Sequence, residues 1–238
     1  MTLVGQFITY GEKRIPYRLD RRTRKTLEIA VEPDMSVSVA APLEATIFDI
    51  EKKLRKRAAW IVRQQNFFQQ FVPRTPERKY IGGETHLYLG RQYRLKVHPD
   101  LIDHVRYFRG RIWVNTTRSN SPSHTEALVK NWYKDRAKTK LTDRIMACQR
   151  RFAKAEEVVP KTVSIRALKQ RWGSMTLAGQ LILNQRLVEA PVDAIDYVIT
   201  HELCHIREPH HGTAFFDYLT EVMPDWKERK EHLERIMA

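Results

Sequence analysis

The 238-residue chain carries 42 Lys and Arg against 28 Asp and Glu, a formal net charge of +14, with 42% hydrophobic and 29% charged residues. That mix excludes a disordered chain, no apolar run is long enough to span a bilayer, and two cysteines, Cys148 and Cys204, cannot build a disulfide framework. A core without covalent staples and a cytoplasmic location are expected, and the opening MTLVGQFITYGEKR has no basic stretch followed by an apolar one, so no secretory leader is expected.

In chain order, residues 3–9, 14–19, 26–32 and 37–41 alternate in polarity as strands do, with the turn EPDMS before the last of them. From Leu43 to about Phe71 the period becomes helical: Ile47, Ile50, Leu54, Ala58 and Ile61 recur at three- and four-residue steps. VPRTPER (72–78) reads as a linker. THLYLG with QYRLKV, and HVRYF with RIWVN around Arg109-Gly110, read as two hairpins. A long helix should then begin near Ser123, whose spacing to Glu126 fits a capping box, with Tyr133, Ala137, Leu141, Ile145, Cys148 and Phe152 forming one apolar stripe. TVSIRAL (162–168) and QLILN (180–184) read as strands flanking KQRWGSMTLAG. Pro191 opens a helix that Pro209 should close, another helix starts near Gly212, and a helical tail follows MPDW. No internal repeat is visible.

The positive charge is uneven. Residues 1–120 hold 23 Lys and Arg against 12 Asp and Glu, residues 121–238 hold 19 against 16. We read a basic, β-rich region over 1–120 and a second domain over 121–238. Nucleic-acid contact through the basic half stays open. RLDRRTRK (18–25) and KKLRKR (52–57) could touch phosphates, but few aromatics are interleaved with them and such runs are more often solvated faces.

The chemistry concentrates in HELCHIREPHHG (201–212), which holds four of the nine histidines. On a helical wheel His201 sits at the edge of the apolar arc of residues 192–207. Glu202 and His205 lie inside that arc, with Asp196, Thr200 and Arg207 opposite. A carboxylate and an imidazole stand where a core helix would place Leu, and buried polar groups need partners. His201 and His205, four apart, share one helix face, while Glu202 is rotated away from them. That is the content of H-E-x-x-H: two zinc ligands and a general base for a water. A third ligand is offered by His210 or His211 after the break at Pro209. Surface histidines at a helix end, or a structural zinc, are the alternatives. Cys204 is poorly placed for the same ion and reads as a small buried residue.

RWGSM (171–175), LILNQRL (181–187), IDYVITHELCH (195–205), HHGTAFF (210–216) and MPDWKERK (223–230), preceded by IPYRLDRR, VEPDMSVSVAAP, AAWI and LYLGRQYRLKV, occur in order over nearly the whole chain. With them the sequence resembles the YgjP-like metallopeptidase family. The resemblance implies an α+β fold: a zincin-like catalytic domain behind an N-terminal β-rich extension with one long helix. It implies Zn²⁺ on His201, His205 and His211, with Glu202 as catalytic base. Met175 stands where relatives often carry cysteine, which argues against a cysteine requirement there. The spacing is also similar to that of metzincins, although Glu208 occupies their glycine position. Met223 is either a residue beneath the ion or a core methionine. More distantly, SprT-like and Wss1-like proteases share a similar cluster.

Arg171 is a candidate for pairing with a substrate carboxylate and Trp172 for walling the cleft, unless Trp172 plugs the core and Gly173 serves a turn. One of the flanking strands could offer a free edge to an extended peptide. The leading expectation is a zinc metallopeptidase acting on peptides or proteins. The alternatives are a zinc hydrolase of a non-peptide substrate such as a nucleotide phosphoanhydride, although no Walker-type Gly-rich loop is present, or a protease acting on DNA-bound proteins.

Overall fold

The computed structural model describes residues 6–24, 26–32, 34–69, 78–168 and 171–237, and the chain divides into two compact units, 1–75 and 76–237. The expected linker, apart from Arg78, lies outside the described residues, as do the ends of the first expected strand and of the first helix.

In the first unit, strands β1 (Gln6–Tyr10), β2 (Lys13–Arg22), β3 (Glu28–Val31) and β4 (Val37–Pro42) precede helix α1 (Ile47–Gln69). The sheet order is β1-β2-β4-β3, with β2 and β4 parallel and the other pairs antiparallel. Alternation sends Ile8, Ile15, Tyr17, Val37, Val39 and Ala41 to one face, where they bury against Ile50, Leu54, Ala58 and Ile61 of α1. The predicted helical stripe is therefore the core stripe, except Ile47, which is left exposed in the first turn. Thr46 caps that turn, its Oγ1 accepting from the Asp49 N–H at 3.1 Å.

The second unit begins with the same topology. β5 (Thr85–Tyr88), β6 (Arg91–Pro99), β7 (His104–Phe108) and β8 (Arg111–Thr116) form a sheet of order β5-β6-β8-β7, again with its second and fourth strands parallel, followed by the long helix α2 (Pro122–Gln149). Both predicted hairpins exist. Their two-residue turns, Leu89-Gly90 and Arg109-Gly110, have positive φ at both positions, the type I′ geometry that suits strand twist. The parallel pairing between hairpins leaves no mark in the sequence, which is why the repeated topology was not legible.

This sheet packs on α2 and belongs to the second unit, whereas the sequence reading grouped residues 86–115 with the basic half. The apolar faces of α2 and the sheet, not the charge balance, decide that partnership: Tyr88, Leu95, Ile112 and Val114 share a core with Val129, Trp132 and Tyr133. The N-cap of α2 is Ser121 rather than the expected Ser123, because Pro122 suits the first helical position and Ser121 Oγ accepts from the His124 N–H. The predicted stripe from Tyr133 to Phe152 is buried throughout.

The remainder positions the histidine cluster. β9 (Thr162–Arg166), β10 (Gly173–Met175) and β11 (Gln180–Asn184) form a small sheet with β11 central. Helices α3 (Val192–Cys204), α4 (Thr213–Val222) and α5 (Trp226–Met237) follow. Together the three small sheets and five helices of the described residues make the expected mixed α+β fold. Gly90 touches the start of α3: a Cβ there would lie 2.8 Å from the Cα of Pro191, at a backbone φ of +76°.

α3 is buried on all sides, not only along its apolar arc. Thr200 and Asp196, opposite the arc, are covered by α2. Asp196 needs compensation for its burial and receives it. Arg144 donates to both of its oxygens at 2.7 Å, and Arg151 donates at 2.9 Å. His232 of α5 pairs with Asp193 in the first turn at 2.7 Å. Asp196→Ala would strip two half-exposed arginines of their shared partner, and we expect a loss of about 2 kcal/mol. Urea unfolding followed by circular dichroism checks this; an unchanged midpoint would show that the latch contributes nothing.

Candidate metal centre

His201 lies in the last full turn of α3 and His205 is its C-cap, with helical φ and ψ of −66° and −14°. The helix therefore stops at Cys204, short of the end at Glu208 expected from Pro209. The N–H groups of Ile206 and Arg207 reach back only three residues, to Leu203 and Cys204, both at 3.1 Å. Pro209 disfavours helix at Glu208 and turns the chain away. His211 then returns just before α4. The ligand atoms of His201, His205 and His211 all lie within 4.8 Å of one another. His210 is exposed and is not part of this group.

The tautomers are constrained. His205 Nδ1 is 3.0 Å from the Glu208 carbonyl, to which it donates, leaving Nε2 as the free lone pair. His201 Nε2 and His211 Nε2 face each other at 3.0 Å. Burial, followed by the charges of His205 and His211, pushes His201 down to about 3. Burial and the His205 charge also lower His211. Neutral imidazoles are held with nitrogens converging. Phe215 of α4, fully buried, underlies all three rings at centroid distances of 4.9, 4.5 and 4.8 Å to His201, His205 and His211.

Glu202 projects from the buried side of α3 toward β10. A Cβ on Gly173 would lie 2.7 Å from its Cγ and 2.9 Å from its Oε1, so glycine is required at that position of the strand. The Met175 N–H donates to its carboxylate. Burial nevertheless dominates and raises the carboxyl to about 7, against the smaller lowering effects of that bond and of Arg171.

His201, Glu202, His205 and His211 line a cleft of about 540 Å³ with Arg171 and Trp172 on its wall. Arg171 is exposed, while Trp172 is half-buried and also packs on the core. Asn184 fixes this segment, its Nδ2 donating to the carbonyls of Arg171 and Leu168 at 3.0 and 2.9 Å. Of the two strands expected to offer an edge, Gln180–Asn184 is central. The unexpected short strand β10 is an edge and borders the cleft.

Tyr197, Lys230 and Glu234 also reach the cleft. Lys230 and Glu234 escaped the sequence reading because α5 reads only as a charged amphipathic tail, and Tyr197 because nothing marks it off from the other residues of α3. Phe215 escaped as well, being indistinguishable from any core aromatic. Met223 is buried at the C-cap of α4, within the core cluster. Burial raises the Cys204 thiol to about 12, so it supplies no thiolate.

The donor set fits a divalent cation. Two neutral imidazoles with Nε2 atoms 3.0 Å apart set lone pair against lone pair unless a proton or cation lies between them. Tetrahedral zinc with arms of about 2.0–2.1 Å holds its ligands about 3.3 Å apart. A buried carboxylate beside three histidines, in a cleft bordered by an edge strand, defines a metallopeptidase-type centre.

The family comparison gives the class. Residues 25–236 match the family model described as YgjP-like, metallopeptidase domain, and the chain belongs to that family. No curated protein matches it significantly. Among solved structures, the metallopeptidase zymogen jannalysin of Methanocaldococcus jannaschii is 21% identical, with 39% of this chain and 86% of that one aligned at a TM-score of 0.33. The metallopeptidase zymogen abylysin of Pyrococcus abyssi is also 21% identical, with 41% and 91% aligned at a TM-score of 0.33. No helix among the described residues is long and apolar enough to cross a membrane.

Gly173→Ala should push Glu202 out of place without touching a histidine. We expect peptidase activity to fall by about 100-fold, the scale of a misplaced catalytic group, with metal content unchanged. Full activity would show that the contact with Gly173 does not position the carboxylate.

Proposed function

We propose that this protein is a zinc-dependent peptidase in which His201, His205 and His211 hold the ion and Glu202 is the general base. The observation that carries the reading is a buried carboxylate raised to about 7 beside three converging imidazoles. Three nitrogen ligands with an open fourth position are the pattern of catalytic rather than structural zinc. When bound, the ion would supply Lewis-acid polarisation of the scissile carbonyl and a lowered pKa for the attacking water.

The rest falls to side chains. Glu202 takes the proton from the attacking water and delivers it to the departing amine. Its raised pKa suits both halves of that task near neutrality, and the Met175 N–H keeps the carboxylate aimed. The hydrogen bond from His205 Nδ1 to the Glu208 carbonyl presents Nε2 and raises its basicity. β10 offers its unpaired edge to an extended peptide, which would bind by strand addition. Arg171 and Trp172 contact the substrate side chains that this backbone pairing brings into the cleft.

Glu202→Gln keeps shape and hydrogen bonding but removes the base. Peptide hydrolysis should drop by about 10²–10⁴-fold, while zinc remains bound at one ion per chain by elemental analysis. Wild-type activity in a zinc-loaded Glu202→Gln protein would remove Glu202 from the mechanism. A nucleotide panel run in parallel reports on the non-peptide alternative.

A further inference from the structure

The two four-stranded sheets share strand order, parallel pairing and a following helix, and each has one face left open. Their open faces differ. On the first sheet the outward positions include Arg18, Asp20 and Arg22 of β2, Ser38 and Ala40 of β4, and Glu28 and Ala30 of β3. Charges there alternate and pair: Arg22 with Asp20 at 2.6 Å and Arg24 with Glu28 at 2.8 Å.

On the second sheet, β5 to β8 contain five Lys or Arg and no Asp or Glu. The register places Lys96, Trp113 and Arg106 in one row across β6, β8 and β7, and Arg94, Arg111 and Phe108 in the next. These side chains are exposed or half-exposed and turn away from the core that faces α2. His98 stacks on Trp113 at 5.0 Å and 21°. The guanidinium groups of Arg106 and Arg109 lie 5.6 and 5.1 Å from the Phe108 ring. Among the described residues, no carboxylate lies within ion-pairing distance of Arg94, Lys96, Arg106, Arg109 or Arg111. The nearest acids in sequence, Asp100 and Asp103, stand at one end of the sheet. There they accept from Asn115 at 2.6 Å, and from the Thr117 N–H at 2.7 Å and His124 at 2.8 Å.

We propose that this face of the β5–β8 sheet binds single-stranded nucleic acid. An identical topology in the first unit folds with mixed charge and, among the described strand residues, one outward aromatic, Phe7 with the Arg14 guanidinium 3.6 Å from its ring centroid, so folding does not demand rows of cations and rings. Unpaired cations supply phosphate contacts. Trp113, His98 and Phe108 supply flat surfaces for bases, which an unpaired strand exposes and a duplex hides. Phosphates and base faces are common to RNA and DNA, so the surface does not discriminate the sugar. The partner is chosen by charge and stacking together, which neither an acidic peptide nor a duplex satisfies. The proposal does not depend on the metal reading and survives its failure.

Fluorescence anisotropy of labelled 15-nucleotide oligo(U) and oligo(dT) with the full chain tests it. Both should bind, and the log–log salt slope should be about −2 to −3, near −0.7 for each of three or four phosphates. Arg106→Glu with Arg111→Glu, both exposed positions outside the core, should weaken binding at least tenfold and flatten the slope. Trp113→Ala should weaken it about tenfold with the slope unchanged, because stacking releases no counterions. Arg18→Glu on the first sheet should change little, and peptidase activity should be unaltered in all of these variants. Equal binding of a 15-base-pair duplex or of polyglutamate would overturn the proposal. So would unchanged affinity in the Arg106/Arg111 variant, or an equal loss in Arg18→Glu.

Discussion

The structure turns on a carboxylate placed in a helix that is buried all round. Glu202 is almost wholly buried and is pressed against the backbone of Gly173, where a Cβ would collide with it. Burial of this kind is normally destabilising, and the protein retains it beside three histidines, of which His201 and His211 are pushed toward the neutral form by burial and by the neighbouring imidazoles. Both features fit a site prepared for a cation and a water. The tight packing of α3 holds this carboxylate still, as the proposed proton transfer would require.

How α3 is held explains much of the second unit. Its arc toward the small sheet carries the chemistry. Its opposite side carries Asp196, which Arg144 of α2 and Arg151 just beyond the end of α2 neutralise, and its first turn is tied to α5 through His232. Phe215 of α4 then supplies an apolar floor against which the three imidazoles rest. The ligands thus come from a helix end and from a loop, but every element that positions them is anchored to the same core. This is how a flexible-looking stretch, REPHHG, can present His211 in register with His201.

Much of this was legible in the sequence because the relevant signals are local. Strand alternation, the α1 and α2 stripes, the Arg109-Gly110 turn and the H-E-x-x-H spacing each depend on residues within one or two turns of one another. The signals that failed are non-local. Parallel pairing of β2 with β4 and of β6 with β8 joins strands that look like separate hairpins, so the hairpins of 85–116 were grouped by charge with the wrong neighbours. The short strand β10 holds only Gly173, Ser174 and Met175, too few for a period to show. Thr200 and Asp196 looked like a solvent side because a single helix cannot reveal that α2 covers it. The basic runs read from the sequence, RLDRRTRK and KKLRKR, are contiguous. The more coherent basic and aromatic surface is assembled from alternate residues of three strands and becomes visible only once they pair.

The account rests most directly on three particular imidazoles gripping one ion. Elemental analysis of protein purified with ample zinc, comparing wild type with His211→Ala and His210→Ala, tests that in a single series. The account predicts one divalent ion per chain in the wild type and in His210→Ala, and its loss or sharp weakening in His211→Ala. A wild type that takes up no metal, or an ion that departs with His210 and stays without His211, would contradict it.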